Sequence, residues 1–220
     1  MLAVMALGYS ALFCVLAVIT CMDKWKKYYI ASKLLCSLGF LGVFATAGRC
    51  SGYGWQFWLM LPAFFCCFVG DLLMAVYNCY RRRSHFLMGL LVFLAGHVCF
   101  VRWMCRMQPL SALDFLFPAC AVLLVCRLTA LRGIHTGRLR PFILIYTFFV
   151  ALVFAKGMHL AIGEWSGQSL AVAAGSALFL VSDISILFLY FYRKKGYGIH
   201  LFNLATYYYG MFLLAVSLIV

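Results

Sequence analysis

Phe57–Asn78 reads FWLMLPAFFCCFVGDLLMAVYN and carries one charged side chain, Asp71. A run of about 20 apolar residues is the length a helix needs to cross a bilayer. A membrane β-strand would instead alternate apolar and polar residues over roughly 10 positions. In hydrocarbon every backbone N–H and C=O must be satisfied within the structure, which leaves helices and closed barrels as the only spanning forms. The continuous pattern selects the helix.

Outward from this stretch the pattern repeats. Apolar runs are expected to span at about 2–21, 29–48, 57–78, 85–104, 110–130, 141–161, 168–192 and 199–220. The fold class is therefore all-α, a polytopic transmembrane bundle of about eight helices in a single domain (1–220) without linker or strong internal repeat. Composition agrees: 67% of the 220 residues are hydrophobic and 10% are charged, and the mean hydropathy is +1.03. A soluble domain of this size cannot hide so much apolar surface. The first run has no basic segment ahead of it and is expected to be a permanent span rather than a cleaved leader.

The net charge is +13. The basic residues lie in short clusters between runs, so the expected partner is the anionic lipid surface and not nucleic acid. Lys24, Lys26 and Lys27, then Arg81–Arg83, then Arg132, Arg138 and Arg140, then Arg193, Lys194 and Lys195 occupy alternate loops. The other loops hold only Arg49, Arg106 and Glu164. Basic loops face the cytoplasm, which places both termini outside. A bacterial plasma membrane is the expected location, with the endoplasmic reticulum as the alternative. The eleven cysteines are scattered through apolar runs with no C-x-x-C spacing, and read as packing residues.

Two carboxylates stand inside apolar runs, Asp71 and Asp183. A charged group at a helix centre costs roughly 2.5–3.5 kcal/mol on insertion scales, so such residues mark sites or buried partners. Asn78 shares a helix face with Asp71, seven positions on. Lys33, Asp183, Tyr207 and Tyr208 fall at a similar depth from the basic loops, which predicts one polar pocket in the cytoplasmic half. Lys33 either snorkels to the interface, contacts a phosphate or pairs with a carboxylate. His97 is mid-span, either hydrogen-bonded within the bundle or part of the site. A metal held by His97, Asp71 and Asp183 is a further reading, although no H-x-x-x-H or H-E-x-x-H occurs.

At these residues the sequence resembles the lysoplasmalogenase, or YhhN-like, family of eight-span membrane proteins. The resemblance rests on SKLL at Ser32–Leu35, VGDLLM at Val69–Met74, GLLVFLAGH at Gly89–His97, GSALFLVSD at Gly175–Asp183 and TYY at Thr206–Tyr208. The family often has Lys-Pro where this chain has Lys33-Leu34, and usually a glutamine where it has Met211. The resemblance implies hydrolysis of the vinyl ether bond of a lysoplasmalogen, a lysophospholipid, to a fatty aldehyde and glycerophospho-ethanolamine or -choline, without a cofactor.

The residue types suit that reaction. Vinyl ether cleavage begins with protonation of an alkenyl carbon, gives an oxocarbenium ion and ends with addition of water. Glycosidases divide a comparable task between two carboxyl groups. Asp71 and Asp183 are the expected acid/base pair. Lys33 is expected on the phosphate, and Asn78, His97, Ser182, Tyr207 and Tyr208 around water and headgroup. The competing readings are a proton-coupled solute or lipid transporter using the same carboxylates, a metal-dependent lipid amidase, and a lipid-binding protein without turnover.

Overall fold

The computed structural model describes residues 1–130, 136–191 and 197–220, with backbone only for Arg138 and Tyr197. Among them are eight α-helices: α1 Leu2–Cys21, α2 Tyr29–Cys50, α3 Trp55–Tyr80, α4 Arg83–Met107, α5 Leu116–Leu128, α6 Arg140–Gly163, α7 Gly167–Phe191 and α8 Tyr197–Val216. Seven are long and apolar enough to cross a membrane. The protein is thus an integral membrane helical bundle, as the apolar runs predict.

The fifth element departs from expectation. A span over 110–130 was predicted, and α5 has 13 residues, about 20 Å of helix. Asp114 explains the late start. Its carboxylate accepts the Ser111 N–H at 2.7 Å and lies 2.7 Å from His159 Nδ1, so the chain makes a 3₁₀ turn over Ala112–Phe115 before α5 begins. The turn and helix together still run antiparallel along α6. Asp114 is held at His159, Phe117 packs tilted against Phe154, and Arg140 donates to the Cys126 carbonyl.

α2, α3, α4, α6, α7 and α8 pack neighbour against neighbour into a closed ring. α1 lies outside, against α2 and α8, and α5 lies outside, against α6. One end of the ring gathers Met1 beside Cys50, and Gln168 between Gln56 and the Ser217 carbonyl. The opposite end gathers Tyr29, Asn78, Tyr190 and His200. That end also carries the loops holding Lys24, Lys26, Lys27 and Arg81–Arg83, as well as Arg140. Arg132, Arg193, Lys194 and Lys195 lie outside the described residues, as does the Arg138 side chain.

Lipid tails provide no hydrophobic drive between helices, so close approach depends on small residues. α7 and α8 meet at Gly175 and Gly210, where a Cβ on either would sit 3.0 Å from the other's carbonyl oxygen. At Gly70 a Cβ would lie 2.8 Å from the Phe93 ring, so the glycine before Asp71 lets α4 lie close to α3. Gly210→Val is expected to lower the melting temperature in detergent, with an overpacking cost of about 1–3 kcal/mol. An unchanged melt would mean that α7 and α8 do not pack through this glycine pair.

Candidate functional site

Every helix of the ring turns a polar side chain into the interior. The set is Lys33 from α2, Asp71 from α3, His97 from α4, Tyr146 from α6, Asp183 from α7 and Tyr207 from α8. Counted from the basic end, Asp71 lies roughly 14 Å down α3 and Asp183 roughly 12 Å down α7, at 1.5 Å per residue. The pocket predicted near the basic loops is where the side chains converge.

Asp71 is 1% exposed and surrounded by donors. Lys33 Nζ lies 3.0 Å from its Oδ1. Ser37 Oγ donates to Oδ2 at 2.7 Å and the Tyr207 hydroxyl at 2.9 Å. Lys33 does not snorkel: it is 6% exposed and turned into the bundle. A low-dielectric interior tolerates a charge pair only when its remaining hydrogen-bonding capacity is met, and Ser37 and Tyr207 meet it. Tyr208 stands one layer back, with its hydroxyl 3.0 Å from Ser37 Oγ and 3.1 Å from the Lys33 carbonyl.

Asp183 is held differently. The Tyr146 hydroxyl donates to Oδ2 at 3.1 Å. His97 Nε2 lies 3.5 Å from the same oxygen, outside hydrogen-bond geometry, and neither ring nitrogen has a hydrogen-bond partner among the described residues. The imidazole is clamped edge-on between Tyr146 and Phe179, at 5.1 and 4.9 Å. It therefore backs Asp183 rather than facing the open space.

Both carboxylates line one narrow cavity of about 30 Å³, together with Lys33, Asn78, Ser182 and Tyr207. That is room for a water, which needs on the order of 10–15 Å³. Ser182 is fixed by Asn203, whose amide donates to its carbonyl and hydroxyl at 2.8 and 2.9 Å. Towards the basic end the cavity meets a vestibule of about 680 Å³ bordered by Lys26, Lys27 and Arg81. The two share Tyr29, Asn78, Tyr190 and His200. Asn78 ties this neck together, donating to the Tyr29 hydroxyl at 3.2 Å and accepting from Tyr190 at 2.9 Å.

Of the residues expected from sequence, Asp71, Asp183, Lys33, Asn78, Ser182 and Tyr207 meet at the cavity. His97 and Tyr208 support it from behind. Sequence reasoning missed Ser37, Tyr146, Tyr29, Tyr190, His200 and Asn203. Ser37 was legible, since it lies one turn from Lys33 on the same face. It also missed Lys156, which is fully buried at the other end of the bundle, donating to the Pro109 carbonyl at 2.7 Å and 3.5 Å from Asp114. Met211 is fully buried below Tyr207, so an apolar side chain fills the place where a glutamine was expected from the resemblance.

Neither a curated protein nor a solved structure matches the chain. Residues 28–218 match the model of the YhhN family, which takes in the whole ring and every residue of the cavity, and the chain belongs to that family.

Proposed function

We propose that this protein is a lysoplasmalogenase, hydrolysing the vinyl ether of an alkenyl glycerophospholipid to a fatty aldehyde and a glycerophospho-base. The YhhN family includes such enzymes. The observation that carries the reading is that Asp71 and Asp183, from different helices, face one water-sized cavity behind a basic vestibule.

The two carboxyl groups have different surroundings, which suggests how they divide the work. Asp71 accepts from Lys33, Ser37 and Tyr207, a setting made for a carboxylate and not for a proton donor. It is the group to steady the oxocarbenium ion and take a proton from the attacking water. Among the described residues no lysine or arginine lies against Asp183, and His97 Nε2 stands 3.5 Å off; Asp183 is the group to deliver a proton to the alkenyl carbon. The carbon–carbon double bond supplies the electron pair for the new C–H bond, and the ether oxygen lone pair stabilises the cation. Water adds, and the hemiacetal then breaks its C–O bond to release aldehyde and alcohol. The overall change consumes one water.

With Lys33 committed to Asp71, the lipid phosphate falls to Lys27 and Arg81 in the vestibule. The positive-inside pattern supports a vestibule on the cytoplasmic face.

The test is fatty aldehyde release from purified lysoplasmalogen, with ethanolamine and with choline headgroups, by the detergent-solubilised protein. Release is expected with at least one. No aldehyde from well-folded protein, together with proton-dependent solute flux in liposomes, would replace this reading with transport.

A further inference from the structure

A second opening reaches the carboxylates from the side. Between α4, α5, α6 and α7 lies an apolar cleft of about 240 Å³, walled by residues such as Leu90, Ala121, Leu124, Ile143, Leu180 and Leu187. Asp183 and Ile186 line both this cleft and the inner cavity, and Tyr146 lines the cleft. A carboxylate at the foot of an apolar cleft is an expensive arrangement unless the cleft delivers something to it. Leu124 is well exposed on the bundle surface, so the cleft reaches the lipid-facing side.

The site therefore has two mouths of opposite character. The vestibule is basic, with Lys27 and Arg81, and suits an anionic phosphate. The cleft is apolar and suits a hydrocarbon chain. The cavity between them is narrow, about 30 Å³.

Resting on the hydrolase reading above, we infer that the α4–α5–α6–α7 cleft is the binding site for the single hydrocarbon chain of the substrate. A single-chain phospholipid lies with its phosphate in the vestibule and its tail in the cleft. The bond joining head to chain then falls at Asp183, which lines both cavity and cleft. This placement accounts for α5, which adds no side chain to the carboxylate cluster yet walls the cleft through Ala121 and Leu124.

The test uses the full-length protein and a probe that cannot turn over. An alkyl lysophosphatidylcholine has a saturated ether with no double bond to protonate. Carrying a diazirine midway along its chain, it is photolysed with wild-type protein in detergent, and the adducts are mapped by mass spectrometry. Adducts are expected between Ala121 and Leu128 and between Leu180 and Leu187, reduced at least about tenfold by excess unlabelled hexadecyl analogue. Adducts spread over the outer faces of α1 and α3, or cleft adducts that resist competition as an ordinary boundary lipid's would, overturn the inference.

Ala121→Trp supplies a second arm. The indole is expected to weaken binding of the hexadecyl ether at least about tenfold while leaving the octyl ether within about twofold. Ile162→Trp, on an exposed position of α6 away from the cleft, is expected to change neither. Equal loss for both chain lengths in Ala121→Trp would again exclude the cleft. These arms read binding alone. A protein that labels in the cleft yet releases no aldehyde would sink the hydrolase reading and leave the chain site standing.

Discussion

Asp183→Asn protein is expected to release aldehyde at least about 100-fold more slowly than wild type, the low end of what a positioned general acid contributes, while melting close to wild type. The amide has nearly the shape of the carboxyl group and can still accept the Tyr146 hydroxyl that now donates to Oδ2. It cannot transfer a proton to carbon. No strong ion pair is lost, because His97 Nε2 is 3.5 Å away and outside hydrogen-bond geometry. Loss of turnover without loss of stability is thus the signature of the proton donor. Asp71→Asn should also lose turnover, but with a lower melting point, because it strands the Lys33 ammonium. Solvent deuterium oxide should slow the wild-type reaction, since proton transfer to carbon is the difficult step. Near-normal aldehyde release by Asp183→Asn would remove that residue from the chemistry and leave the acid's role to Asp71.

The architecture was largely legible because membrane spans announce themselves. Long runs with rare charges have one solution in lipid, and seven long helices follow them closely. The exception, α5, was hidden by its own composition. LFPACAVLLVCRL is as apolar as a full span, and only the contacts of Asp114 with His159 and Lys156 show why the helix starts late. The depth of the site was legible for the same reason: buried charge is costly, so Asp71 and Asp183 stood out. The ring order was not, since nothing in one sequence says that α4 packs on α6 rather than α5. Tyr146 was hidden by that gap, because a tyrosine in RPFILIYTFFV reads as packing until α7 brings Asp183 against it. Lys156 was passed over because a lysine near a span end ordinarily reaches for the interface, whereas this one turns inward to Pro109 and Asp114.

Lys33→Met should destabilise the protein more than any single substitution of the cavity residues. Asp71 would keep its donors Ser37 and Tyr207 but lose the cation 3.0 Å away. Stranding one member of a buried pair costs about 3–5 kcal/mol, whereas replacing both members with well-packed neutral groups is often neutral. The double variant Lys33→Met/Asp71→Asn is therefore expected to recover most of the lost stability. Melting curves of the four proteins in one detergent give the coupling directly as a double-mutant cycle. Activity should not follow stability. The double variant has no carboxylate to steady the oxocarbenium ion or take the proton from water, so its aldehyde release should stay as low as that of Asp71→Asn. Additive melting effects would mean that Lys33 and Asp71 are not held as an ion pair. A stable double variant with near wild-type turnover would mean that the pair is scaffolding, with Asp183 acting alone. Recovered stability with turnover still absent is the result that assigns the pair to the reaction rather than to the fold.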